Sequence, residues 1–192
     1  CEKGARWLEA LGLFSDMRLR RLAHHVVAYS AAISACEKGA RWYEALGLFS
    51  NMWLRRLEPD VYAYTAALSA CERGALWHEA LGLFVGMRLR RLVPDVVTHN
   101  AAISACANGA RPHEALGLFS DMQLRRLEPS VVTYSAIISA CEKGVRWHEA
   151  LRLFSDMQLR LLEPDVTTYS AATSACGKGA RWHESLGMFS DM

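Results

Sequence analysis

The sequence predicts an all-α protein, an α-solenoid of stacked antiparallel helical hairpins winding as a superhelix, and three observations predict it. Cysteines recur at Cys1, Cys36, Cys71, Cys106, Cys141 and Cys176, 35 residues apart without slippage. The words SACEKGARW, EALGLF and RRLEPD return around them in the same register. Each complete period holds two apolar runs at helical spacing, parted by a glycine and closed by a proline. A fixed period of this length marks one supersecondary unit that buries its apolar face on its neighbours. Residues 1–192 therefore read as a single array.

Residues 1–25 hold the second half of a repeat. Glu9 to Leu22 reads as helix, but the stripe Leu8, Leu11 and Phe14 lacks a helix before it, which predicts fraying or an exposed patch. AHH replaces the usual EPD, which precedes the repeats at 61 and 166 and varies to VPD and EPS before 96 and 131. Complete repeats follow at 26–60, 61–95, 96–130 and 131–165, then a partial one at 166–192. Starting and stopping inside repeats suggests a segment of a longer array, with further repeats or a C-terminal domain elsewhere in the full-length chain.

In the first complete repeat Tyr29, Ala32, Ile33 and Cys36 fall at i, i+3, i+4 and i+7, one face of a helix. Gly39 is expected to break it. Trp42, Ala45, Leu46, Phe49, Met52 and Trp53 write a second helix, with Arg41 and Glu44 on the wet side. Arg55 and Arg56 are expected in its last turn, favourable against the helix dipole. Pro59 pushes Glu58 out of the α region, and Asp60 stands ready to cap the next helix. Ala31, Ala35 and the mid-helix Gly47 are expected to let backbones approach closely, which would offset the roughly 1 kcal/mol that such a glycine costs. Pro112 takes a tryptophan's place in the third repeat, tolerable in a first turn but expected to loosen packing. Thr173, where other repeats have Ile or Leu, should weaken the last.

A net charge of +2 excludes a grossly basic nucleic-acid binder while leaving room for a local positive stripe. No run approaches the roughly 18 apolar residues that span a bilayer, and nothing reads as a signal peptide, so the chain is expected to be soluble and without a membrane partner. The cysteines share one place in units about 10 Å apart, beyond the roughly 7 Å Cα limit of a disulfide, and read as small core residues in a reducing compartment. His78, His113, His148 and His183 also recur, too far apart to share an ion, and read as surface residues. Trp7, Trp42, Trp77, Trp147 and Trp182 read as core packing. Arg18, Arg20, Arg21, Arg55, Arg56, Arg88, Arg90, Arg91, Arg125 and Arg126 read as a solvated rim, with a secondary electrostatic strip as the alternative. No motif implies a metal, a cofactor, a small-molecule substrate or a catalyst; in particular no H-x-E with P-C-x-x-C zinc-deaminase signature occurs.

The polar side of the first helix holds Val27, Ser30, Ser34, Glu37 and Lys38, and within it Ser30, Thr65, Asn100, Ser135 and Ser170 vary while the core letters barely move. A 35-residue helical hairpin opening V-V-T-Y-S/N and closing L-E-P-D resembles the pentatricopeptide repeat family over the whole chain. That resemblance implies single-stranded RNA binding, one base per repeat read by a few side chains. It implies that the fifth and last residues of a repeat select the base: Ser30 with Asp60, Thr65 with Asp95, Asn100 with Ser130, and Ser135 with Asp165. These would read G, G, a pyrimidine (C favoured) and G, 5′ to 3′ along the chain. Ser170 has no closing partner, and His25 at the first junction has no clear base. The second residues, Val27, Tyr62, Val97, Val132 and Thr167, would sandwich bases, Tyr62 and Thr167 departing from the valine pattern. Lys38, Arg73, Lys143 and Lys178 would contact phosphates, a series that Asn108 interrupts.

Asp60, Asp95, Asp165 and Ser130 are also explained as helix caps, each worth about 1 kcal/mol, and both roles are expected together. A protein- or peptide-binding scaffold is the alternative function, marked by an apolar groove where this one carries Ser, Thr, Asn, Asp and Lys. The family resemblance further implies a non-enzymatic array in a mitochondrion or chloroplast, serving RNA processing, stability, translation or editing.

Overall fold

The computed structural model describes residues 2–19 and 26–179. Ten helices occur among them: α1 (Glu2–Leu19), α2 (Val26–Lys38), α3 (Trp42–Leu54), α4 (Val61–Arg73), α5 (Trp77–Leu89), α6 (Val96–Asn108), α7 (Pro112–Leu124), α8 (Val131–Lys143), α9 (Trp147–Leu159) and α10 (Val166–Lys178). The chain forms two compact units, Cys1–Ala101 and Ala102–Met192. In the first, α2 packs on α3 and on α4, and α4 on α5; in the second, α8 packs on α9 and on α10. Within each unit first helices thus stack on first helices, and second helices lean on them.

The helical stripes enter the core as their spacing requires. Tyr29, Ile33 and Cys36 are fully buried, as are Ala45 and Met52, with Ala32 and Phe49 nearly so. The described cysteines Cys36, Cys71, Cys106, Cys141 and Cys176 are all buried thiols. Burial pushes Cys71 up to about 12 and Cys106 and Cys141 up to about 11, far from the thiolate that reactivity needs. Cys1, Trp182 and His183, His25, Arg20 and Arg21 lie outside the described residues, as do the side chains of Trp7 and Arg18.

Helix ends are set by residues next to the expected breakers. The left-handed residue after each first helix is Ala40, Ala75, Ala110 or Val145, one position beyond the glycine. Arg41 N–H then reaches back to Cys36 carbonyl at 2.8 Å, closing a Schellman turn. The glycine serves packing: a β-carbon on Gly74 would stand 3.0 Å from Trp42 Cδ2, and one on Gly179 2.5 Å from Trp147 Cδ1. Trp42 and Trp147, half-buried, therefore lie on the glycine of the following repeat. Pro112 does the same on Gly144 and is buried, so the third repeat is not loosened there.

Four further expectations are corrected. A β-carbon on Gly47, Gly82 or Gly117 would meet nothing within 4 Å, so these glycines face open space instead of a neighbouring backbone. Ala31 is exposed as well, and close approach falls to the other alanine of the pair, buried as Ala70, Ala140 and Ala175 in later repeats. Arg55 and Arg56 lie past the last turn of α3, Arg55 as its C-cap and Arg56 in the left-handed region. Helix α1 runs from Glu2, earlier than expected, and Phe14 is buried edge-on against Tyr29 of α2, leaving Leu8 exposed.

Candidate nucleic-acid interface

The last residue of a repeat is held by the helix it begins. Asp60 Oδ1 accepts from Ala63 N–H at 2.8 Å, Asp95 Oδ1 from Thr98 N–H at 2.8 Å, and Asp165 Oδ1 from Thr168 N–H at 2.8 Å. Ser130 closes a capping box with Thr133, accepting from its N–H while its own N–H donates to Thr133 Oγ1 at 3.0 Å. All four are N-caps, which satisfies donors the first turn leaves orphaned.

The fifth residue of one repeat meets this cap. Ser30 Oγ donates to Asp60 Oδ1 at 3.0 Å and lies 3.0 Å from Val26 carbonyl; Ser135 Oγ donates to Asp165 Oδ1 at 3.1 Å. Thr65 Oγ1 lies 3.4 Å from Thr98 Oγ1, which itself donates to Asp95 Oδ1 at 2.6 Å. Hydrogen bonds to the three aspartates from described residues all fall on Oδ1. The cap therefore uses one carboxylate oxygen and leaves Oδ2 as an acceptor. The hydroxyls of Thr98 and Thr168, buried at the third place of their helices, were not singled out in the sequence. The signal lay in V-A-Y or V-Y-A-Y giving way to V-V-T and V-T-T at the helix start.

These hydrogen bonds act on the carboxylates. At Asp165 the hydroxyls of Thr167 and then Thr168 hold the carboxyl at about 2. At Asp95 burial pushes the other way, but the Thr98 hydroxyl and N–H outweigh it and the carboxyl is lowered.

In the first unit, Val27, Ser30, Asp60, Tyr62 and Thr65 line one groove of about 540 Å³, together with Ser34, Glu37 and Ser69. Val27 and Tyr62 are 74% and 78% exposed, large apolar side chains left on the wall of this groove. Val97, Val132 and Thr167 are exposed at the same place, and the Thr167 hydroxyl bends back to Asp165 Oδ1 at 2.6 Å. Asn100 is half-buried in the first unit, and Ser170 is exposed in the second.

The cations at the first-helix ends are exposed and mostly tied to the preceding repeat. Arg73 Nε donates to Glu37 Oε1 at 2.9 Å, Lys178 Nζ to Glu142 Oε1 at 2.5 Å, and Lys143 Nζ to Asn108 Oδ1 at 3.4 Å. Lys38 is exposed at the end of α2. In the two ion pairs the cation is about half exposed and the carboxylate largely covered, 13% exposed at Glu37 and 16% at Glu142. His78, His113 and His148 are exposed. No helix among the described residues is long and apolar enough to cross a membrane.

The PPR repeat family profile matches residues 94–143 and 131–178, a pentatricopeptide repeat domain profile residues 47–109, and a PPR repeat profile residues 27–57. No curated protein sequence matches the chain. Among solved structures, the pentatricopeptide repeat protein PPR10 in complex with an 18-nt psaJ RNA element is 26% identical with a TM-score of 0.66 over 88% of this chain. PPR10 from maize is 28% identical with a TM-score of 0.66 over 98% of it. The chain spans 28% and 27% of those two chains. The PPR domain of Arabidopsis thaliana protein-only RNase P 1, in complex with tRNA, shares the fold at 15% identity, with a TM-score of 0.69 over 83% of this chain and 86% of that one. The fold is an all-α helical-repeat solenoid.

Proposed function

Because the chain belongs to the pentatricopeptide repeat family, we propose that it binds single-stranded RNA, one base per repeat, in the groove of the first helices. The observation that carries this reading is the groove that gathers Val27, Ser30, Asp60, Tyr62 and Thr65. A base enters between Val27 and Tyr62, where stacking on the tyrosine ring is worth about 1–3 kcal/mol. Its Watson–Crick edge meets Ser30 and Asp60. The Ser30 proton is already donated to Asp60 Oδ1 or Val26 carbonyl, so the hydroxyl offers lone pairs, as Asp60 Oδ2 does. Two acceptors side by side suit guanine, whose N1–H and N2–H₂ donate, and repel adenine N1. Thr65 with Asp95 and Ser135 with Asp165 repeat that chemistry, and Asn100 supplies an amide for a pyrimidine. Lys38, Arg73, Lys143 and Lys178 take the backbone phosphates. PPR10 and protein-only RNase P 1 are both described bound to RNA, which supports the partner. The chain itself acts without catalysis, by occupying its site, in an organelle where RNA is processed, stabilised, translated or edited.

Asp60→Asn tests this. The amide keeps an oxygen for Ala63 N–H and places a donor where Oδ2 was. Titration of labelled oligonucleotides that differ only at the first base should show G preferred by the native chain and A by the variant, each by about tenfold. Melting should be unchanged, since the cap survives. An unaltered preference in a variant that melts normally would overturn the reading.

A further inference from the structure

On the side of the second helices, two hairpins carry a tyrosine and an arginine joined by one oxygen. Tyr29 hydroxyl donates to Asn51 Oδ1 at 2.9 Å, and Arg55 Nε donates to the same atom at 3.0 Å. Tyr134 hydroxyl donates to Asp156 Oδ2, which also accepts from Arg160 Nε at 3.2 Å. The second hairpin keeps Tyr64 and Arg90 but has Gly86 at the place of Asn51 and Asp156. Tyr64 hydroxyl lies 3.7 Å from where a β-carbon on Gly86 would stand. Arg90, with no acid one turn before it, lies over the Trp53 ring, 3.7 Å from its centroid, and also reaches Tyr64. Trp53 is itself particular to this site, its equivalents being Arg18, Arg88, Gln123 and Gln158. Between α3 and α5 a cavity of about 600 Å³ opens, lined by Phe49, Trp53, Tyr64, Gly86, Leu89 and Arg90 among others.

We propose that this cavity binds a small carboxylate with an apolar body, whose carboxylate stands where Asp156 stands in the fourth hairpin, between the tyrosine hydroxyl and the arginine. The protein's own hairpins supply the precedent for that geometry. Arg90 stacked on an indole keeps its in-plane N–H donors for a planar anion, and Tyr64 has a proton to donate once its oxygen accepts from Arg90. Phe49, Trp53 and Leu89 wall the rest with apolar surface, and the volume falls within the range of small-molecule sites. A cation is repelled by Arg90, and a neutral apolar ligand leaves both donors unmatched. The site shares no residue with the groove of Val27 and Tyr62, so it stands or falls apart from RNA binding.

Phenylacetate is the probe, followed by NMR on the full chain through the Trp53 indole and Tyr64 ring signals, with phenylacetamide as its neutral counterpart. A ligand of this size should bind with a millimolar dissociation constant, the amide about tenfold more weakly. Arg90→Gln should weaken the carboxylate to the level of the amide. Gly86→Asp should abolish binding and raise the melting temperature, since the side chain fills the place from within; the 3.7 Å clearance leaves room for it. Equal binding of carboxylate and amide, no saturable shift at about 20 mM phenylacetate, or undiminished binding to a folded Gly86→Asp chain would each overturn the proposal.

Discussion

Asp165 carries a cap and a candidate base contact on one carboxylate, and its protonation reports how the two divide. Four hydrogen bonds converge on Oδ1, from Ser135, Thr167 and the hydroxyl and N–H of Thr168. They favour the ionised form and hold the group at about 2, below the ordinary aspartate value of about 3.9. A lowered folded-state value means that the stabilisation is complete above pH about 3.9 and is lost as pH falls towards about 2. The Asp165 side-chain carbon resonance should therefore titrate near 2. Thr167→Val, which removes the largest cause, should move that midpoint towards 3.9; a midpoint already at the ordinary value in the native chain would refute the geometry. Thr173 presents the opposite case. Its Oγ1 is buried without a hydrogen-bond partner among the described residues, where Ile33, Leu68, Ile103 and Ile138 are fully buried apolar side chains. An orphaned buried hydroxyl costs about 1–3 kcal/mol. Thr173→Ile should raise the unfolding free energy by about 1 kcal/mol in a urea titration, and no gain would show that the hydroxyl is satisfied in solution.

At the scale of helices and turns, two classes of glycine separate by what a β-carbon would meet. Gly47 and Gly117 sit mid-helix facing open space, so they incur the helix cost of glycine with no packing in return. Alanine at each should stabilise by about 0.5–1 kcal/mol, additively, since neither β-carbon meets a neighbour through which the two could couple. Gly144 lies under the Pro112 ring, with Pro112 Cδ 2.8 Å from the built β-carbon, and alanine there should destabilise by about 1–3 kcal/mol. Thermal melts of the three single variants check both signs; a stabilising Gly144→Ala would contradict the packing of proline on glycine. The same contrast shows what was legible in the sequence. Period, hairpins, buried stripes and aspartate caps follow from spacing and from the few residues that satisfy orphaned N–H groups. Which way a mid-helix glycine faces, and that the turn's left-handed residue is Ala40 while Gly39 receives a neighbour's ring, depend on the next repeat. Composition within one repeat carries no mark of that.

For the molecule as a whole, the repeat places a polar side chain, Ser, Thr or Asn, at the same place on successive first helices, so the proposed recognition would be a property of the series. The family resemblance, carried onto the fifth and last places of each repeat, marked Ser30, Asp60 and their equivalents. That the hydrogen bonds to the aspartates crowd onto Oδ1, and that Arg73 and Lys178 sit in ion pairs, depended on side-chain rotamers no pattern records. The pairs bear directly on salt dependence. Each phosphate contact to a single strand contributes about −0.7 to the slope of log K against log salt. Four contacts would give about −2.8, but Arg73 and Lys178 would have to exchange Glu37 and Glu142 for phosphate and so would release less. The slope for a short single strand should therefore be about −2, and Lys143→Ala, whose partner is only an amide, should flatten it by about 0.7. Glu142→Gln removes the carboxylate that competes for Lys178, so it should tighten binding and steepen the slope. Anisotropy titrations across a salt series measure all three slopes. A slope near zero, or a Glu142→Gln chain that binds RNA less tightly while remaining folded, would remove these four side chains from the phosphate path and leave base contacts to carry the affinity.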